Sequence, residues 1–271
     1  MLYLGTCSWK YPSWEGLLYQ SHSKDSYLAQ YAQRLNTVEV DQWFWSLGRA
    51  SYGLPDSLTV DEYNNDTPET FRFTIKAPNT LTLPLKNQWF LDPDVLYQFL
   101  ERIAPLGSKI GLIFFQFGYL NKTMFESQGM FYEQLNTFLS LIPDSFPYGV
   151  EVRNPQYINE GYLKLLQRYK VTPVLASGYW NDELSHVLTR YRSLLSDRIC
   201  LRLLGEDRRR IEELASEQWN ALYEPKEAEL TKLAPLITEF LAEGREVYVT
   251  VNNHYEGSAP LTITRLENLL H

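Results

Sequence analysis

Eight short runs of β-branched and apolar residues recur along the chain, each followed by a stretch of different periodicity. This alternation constrains the fold more than any other feature. The runs cover residues 2–5, 37–41, 71–76, 109–116, 148–153, 171–176, 199–204 and 246–252. Helical spacing between them predicts helices over 26–35, 93–104, 131–142, 161–169, 227–241 and 261–270, with weaker helical signals after the second and sixth runs. Strands that alternate with helices build a parallel sheet, and eight of them with a closing helix predict an α/β TIM-like (β/α)8 barrel. By length alone 271 residues could make two domains, yet barrels of about 250 residues fold as one unit. No Gly/Ser linker, charge block or low-complexity tract marks a boundary, so a single domain over 1–271 is expected.

Successive strand residues point to opposite sides, so the apolar parity identifies the side packed against helices. Val38 and Val40 oppose Glu39 and Asp41, and Phe71, Phe73 and Ile75 oppose Arg72, Thr74 and Lys76. Val150 and Val152 oppose Glu151 and Arg153, Leu201 and Leu203 oppose Arg202, and Val249 and Val251 oppose Thr250 and Asn252; the fourth run ends in Gln116. With the polar parity in the lumen, three acids and four bases share one barrel, most of them near the strand C-terminal ends where barrel active sites form. Arg72, low in its strand, is assigned to interior ion pairing; Glu39, Lys76, Glu151, Arg153 and Arg202 form the candidate ligand site. Trp9, Trp14, Trp43, Trp45, Trp89, Trp180 and Trp219 all follow strands. They either cap the core or line an aromatic cleft suited to a sugar ring or nucleobase.

Composition removes several classes of function. Lysine plus arginine total 25 against 33 acids, a net charge of −8, so the broad basic face of non-specific nucleic-acid binding is missing. Two cysteines, Cys7 and Cys200, make no disulfide framework and point to a reducing compartment. Without a basic leader or a run of about 18 apolar residues, a soluble cytoplasmic protein with no membrane partner is expected. Of four histidines only His254 sits just beyond a strand, so neither a metal site nor a cofactor is expected. No phosphate-binding glycine loop or nucleophile elbow stands out.

The strand-end motifs are Gly5-Thr6-Cys7-Ser8-Trp9 with Tyr11-Pro12 and Trp14, Asn36-Thr37-Val38-Glu39-Val40, Phe71-Arg72-Phe73 with Lys76, and Glu151-Val152-Arg153. With Trp219-Asn220, Tyr223, Val247-Tyr248-Val249, Asn252-Asn253 and Gly257-Ser258-Ala259, they resemble the YecE-like family (domain of unknown function 72) in order over the whole chain. The resemblance implies a TIM-like barrel and supplies no established activity. It also implies histidines where this chain has Thr82 or Leu83, Asn154 and Leu204, and a Leu-Pro-Pro where it has Phe117-Gly118-Tyr119. The chain is therefore identified as a divergent member.

Glu39 and Glu151 are the natural candidate catalytic pair. A glycosidase, however, needs one of two carboxyls kept protonated, and the neighbouring cations favour the ionised form. Lys76, Arg153 and Arg202 instead suit a small anionic or phosphorylated, sugar-like substrate, with Glu39 or Glu151 as base. Gln116, Asn252, Asn253, Trp9, Trp219 and Tyr223 are the further expected substrate contacts. The anion preference depends on Asp41 turning toward its own loop; if Asp41 joins the site the charges balance, and a neutral polyol becomes the better ligand. The expectation is thus a metal-independent enzyme, hydrolase or lyase/isomerase. The alternative is a non-catalytic small-molecule binder or sensor, which the missing family histidines favour. Single-stranded nucleic-acid binding through stacked tryptophans is a third reading, opposed by the net charge. Residues 205–225 are too long for a plain connection of about two to six residues, and are expected to fold over the mouth as a partial lid carrying Trp219 and Tyr223.

Overall fold

The eight runs form eight parallel strands that close on themselves: β1 Leu2–Cys7, β2 Thr37–Val40, β3 Arg72–Lys76, β4 Ile110–Phe117, β5 Tyr148–Val152, β6 Thr172–Ser177, β7 Arg198–Leu203 and β8 Glu246–Val251. Each pairs with the next, and β8 pairs with β1 through Leu2 opposite Val247 up to Thr6 opposite Val251. The computed structural model describes residues 1–45, 53–85, 88–89, 92–178 and 183–271. Trp180 lies outside these residues, as does the side chain of Trp89.

Helices follow the strands on the outside: α1 Tyr27–Tyr31, α2 Ser57–Asp66, α3 Pro93–Ile103, α4 Gln128–Leu141, α5 Glu160–Arg168, α6 Leu184–Arg190, α7 Arg208–Ala215, α8 Glu227–Ala242 and α9 Ala259–Leu270. Caps set several starts. Ser127 Oγ accepts the Met130 N–H and begins α4 three residues before the expected 131. Helix α1 is shorter than expected: after Tyr31 the chain continues in turns, while the Tyr31 hydroxyl accepts the Thr6 N–H and donates to the Thr37 carbonyl, both at 2.8 Å. Helix α7 falls inside 205–225, the segment expected to fold over the mouth as a partial lid. Pro84–Leu85 and Gln88–Trp89 add a small antiparallel pair after β3. Among the described residues no helix is long and apolar enough to cross a membrane.

Burial divides along strand parity. Val38, Val40, Phe71, Phe73, Ile75, Val150, Val152, Leu201, Leu203, Val249 and Val251 all join the large core shared with the helices. Tyr3, Leu112, Phe114, Val174, Cys200 and Tyr248 form a separate cluster inside the barrel. Arg72 closes the lower end differently from expectation. Its Nη1 donates to the carbonyls of Glu69 and Phe71 at 2.8 and 2.9 Å, and its guanidinium lies over the Tyr3 ring. Backbone carbonyls within reach at the start of β3 satisfy it there, so it stays out of the charge network above.

Candidate functional site

Above the apolar lumen cluster, three strands contribute one connected set of charges. Arg202, on β7, forks onto Glu39 of β2, with Nε to Oε2 at 2.7 Å and Nη2 to Oε1 at 2.5 Å. Its Nη1 donates to Glu151 Oε2 of β5 at 2.5 Å. Arg153, just past β5, donates from Nε to Glu151 Oε1 at 2.5 Å and from Nη2 to Gln116 Oε1 of β4 at 3.1 Å. Thr250 Oγ1 and Cys7 Sγ donate to Glu39 Oε2 at 3.3 and 3.4 Å. The Arg202 guanidinium stands 5.1 Å from the Phe114 ring centroid, so the cluster rests on the apolar plug. Glu39, Glu151 and Arg202 are all buried.

This geometry fixes the protonation of Glu151. Burial raises its pKa, but Arg153, Arg202 and Lys76 together outweigh burial and hold it at about 2. A carboxyl so acidic is ionised at neutral pH and is no general acid. The three hydrogen bonds from Arg202 leave its guanidinium committed to two carboxylates, rather than open to a phosphate as expected. Burial, and then Glu39, push the Cys7 thiol well up, so it is a neutral donor rather than a thiolate.

At the mouth stand Asp41, Lys76, Gln116, Arg153 and Asn252. Asp41 is half-buried, and its pKa is raised by burial and by Glu39 while Lys76 and Arg202 oppose the rise. It therefore shares the field of the cluster, which now holds Glu39, Asp41 and Glu151 against Lys76, Arg153 and Arg202. The charge majority behind the expected anion preference disappears. Lys76 is 8% exposed, with its Nζ 3.6 Å from the Phe44 ring centroid. Phe44, Cys7 and Thr250 were not among the expected site residues. Thr250 was readable from strand parity; Phe44 was not, since its position depends on the turn that follows β2.

Beside the mouth a cleft of ≈ 690 Å³ opens between the loop after β1 and α7, lined by Tyr11, Pro12, Ser13, Arg209, Glu212, Glu213, Glu217 and Trp219. Tyr11 lines this cleft, and burial, then Asp41 and Cys7, push its phenol up. The Trp219 N–H donates to Ser13 Oγ at 3.1 Å, and its ring meets His254 edge-on at 5.0 Å. Tyr223 instead packs on the turn at Gly257. Trp9 stands edge-on to Tyr63 at 5.0 Å within the outer core, because its side chain fills the space over α2. Asn252 Oδ1 caps the turn that follows β8 by accepting the His254 N–H. Asn253 is buried, its Oδ1 accepting the Ala259 N–H at the start of α9. The structure thus brings Glu39, Glu151, Lys76, Arg153, Arg202 and Gln116 together and turns Trp9, Asn253 and Tyr223 to packing or capping.

The sequence model of the family described as "Protein of unknown function DUF72" matches residues 3–271. The chain belongs to the DUF72 family. It is 30% identical over 161 residues to the UPF0759 protein YecE of Escherichia coli K12, covering 59% of this chain and 52% of that protein. The aligned part thus spans about half the length of that relative. Among solved structures, a DUF72 family protein of Thermotoga maritima MSB8 is 22% identical with a TM-score of 0.71, covering 100% of this chain and 99% of the other. A DUF72 family protein of Enterococcus faecalis V583 is 21% identical with a TM-score of 0.71, covering 100% and 95%. At these identities the structural likeness supports the barrel.

This DUF72 chain gives structural work to the positions where the family resemblance implies histidine. Asn154 clamps the loop after β4, donating from Nδ2 to the Leu120 carbonyl and accepting the Leu120 N–H, both at 2.8 Å. Leu204 packs with Cys7 and Ala176, and Thr82 Oγ1 donates to the Asn79 carbonyl at 3.3 Å.

Proposed function

We propose that this DUF72 protein is an enzyme that binds a small, oxygen-rich, uncharged molecule of the polyol or sugar class at the C-terminal mouth of its barrel. The equal count of acids and bases in the cluster supports this reading. A net anion would be held against three carboxylates, whereas hydroxyl groups can donate to Asp41 and accept from Lys76 and Arg153. Gln116 adds both a donor and an acceptor. The Arg202 ion cluster serves as the rigid floor, and the groups that meet the ligand stand above it.

Thermal-shift measurements with D-ribose, D-glucose, inorganic phosphate and a sugar phosphate test this reading. A neutral sugar at 100 times its dissociation constant stabilises the fold by about 2.7 kcal/mol, and phosphate alone does not. Arg153→Ala should weaken the sugar shift. A shift produced only by phosphate and sugar phosphate, and lost in Arg153→Ala, would restore the anion reading. A sugar shift without chemical change of any sugar tried would favour the non-catalytic binder.

A further inference from the structure

Among the described residues two lysines are buried, and they are treated oppositely. Lys109, 2% exposed, donates from Nζ to the carbonyls of Asn64 and Thr67 at 2.6 and 2.7 Å, with Glu69 at 3.6 Å. Lys76, 8% exposed, ends β3 at the mouth, and its Nζ lies over the face of Phe44. Among the described residues no carboxylate is in ion-pair reach of its Nζ, and no carbonyl or hydroxyl accepts from it. Glu39 and Glu151, the carboxylates whose charges act on it, are both bound to Arg202. A lysine retained for structure is expected to have its three donors satisfied, as Lys109 does. Lys76 is held above the cluster, and among the described residues its nitrogen has no hydrogen-bond acceptor.

Resting on the reading that the mouth receives a sugar-like molecule, we propose that Lys76 is a catalytic amine whose Nζ condenses with the carbonyl carbon of a small polyhydroxy aldehyde or ketone. The neutral amine adds its lone pair to that carbon, forming the C–N bond and placing the carbonyl electron pair on oxygen. A proton passes from nitrogen to that oxygen and gives the carbinolamine. A proton from solvent then adds to the hydroxyl. The C–O bond breaks, water leaves, and an iminium remains on Lys76. Hydrolysis runs the same steps backward, so no oxidant, reductant or metal enters the balance.

The surroundings raise the neutral fraction of the amine. Burial, followed by Arg202, lowers the Lys76 pKa to about 8, with Arg153 adding to the fall and Glu39 and Glu151 opposing it. Asp41 lies in the same field, raised by burial and Glu39 and lowered by Lys76 and Arg202. Phe44 favours the charged amine through its ring face, but it offers no acceptor that must be broken for the amine to react.

Reductive trapping on the full chain decides the matter. The protein is incubated at pH 7 with dihydroxyacetone or D-glyceraldehyde and sodium cyanoborohydride, and the modified lysines are located by peptide mass spectrometry. The exposed Lys122 serves as the internal reference. Lys76 should be alkylated at least about tenfold faster than Lys122, because an amine near pKa 8 is far more often neutral at pH 7 than an ordinary lysine. Its rate should level above pH 8. Lys76→Arg keeps the cation over Phe44, and should lose the label while keeping the melting temperature. Labelling of Lys76 no faster than Lys122, with sugar stabilisation intact, overturns the imine and leaves the binding reading standing. Selective labelling without any sugar stabilisation upholds the amine and removes the polyol reading. Absence of both overturns both.

Discussion

Arg202 holds two carboxylates from strands that are not its neighbours, and its removal would strand Glu39 and leave Glu151 to Arg153 alone. Arg202→Met should cost about 3–5 kcal/mol, since a buried carboxylate without a counter-charge carries a desolvation penalty of that order. Urea unfolding gives the value. The triple variant Glu39→Gln, Glu151→Gln, Arg202→Met should recover most of the loss, because an interior ion set replaced as a unit is often neutral in stability. An Arg202→Met protein as stable as the parent would show that the cluster does not hold the barrel. Strand parity made the lumen position of these three residues legible in the sequence, but not their pairing. Arg202 is level with Thr250, Thr250 with Gly5 and Gly5 with Thr37. The fork to Glu39, two residues beyond Thr37, follows from the stagger of a closed barrel, which no single strand reveals.

Helix α7 walls the side cleft, and the turn after β8 meets it where His254 Nε2 lies 3.1 Å from Glu212 Oε1. The Glu256 carboxylate accepts from Thr262 Oγ1 at 2.6 Å, from the Lys226 N–H and from Arg265, while its carbonyl accepts the Tyr223 N–H at 2.7 Å. The next residue, Gly257, has φ +113°, and a Cβ there would lie 2.4 Å from Tyr223 Cδ2 and 2.7 Å from the Ala221 carbonyl oxygen. Gly257→Ala should therefore lower stability by about 1–3 kcal/mol and speed amide exchange across 221–226. Unchanged exchange in that segment would separate the turn from the cleft wall. The sequence missed α7 because its apolar stripe is two residues, Ile211 and Ala215, with arginines and glutamates around them. The Arg208–Glu212 and Arg209–Glu213 pairs at 2.7 and 2.9 Å were present as i, i+4 spacing; such pairs contribute only about 0.3–0.5 kcal/mol each and look the same on an exposed coil.

For the molecule as a whole, acid should act first through the barrel interior. Glu151 titrates at about 2 in the fold against a usual 4.5, so its stabilisation is complete above pH 4.5 and is lost as the pH falls toward 2. The contribution is about 3 kcal/mol. Asp41, raised in the fold, changes stability in the opposite sense, so the quantity to measure is the difference in urea midpoint between the parent and Glu151→Gln across pH 2–6. A difference independent of pH would disconnect Glu151 from acid unfolding. The cluster also ties the two ends of synthesis together. Glu39 leaves the ribosome 163 residues ahead of Arg202, which at about 5–20 residues per second is a delay of roughly 8–33 seconds. Through that interval a carboxylate destined for a dry lumen lacks its Arg202 counter-charge, and the first six strands cannot close water-free around it. Drying of the barrel interior therefore waits for the last quarter of the chain, and a nascent protein stalled before β7 keeps its future core wet.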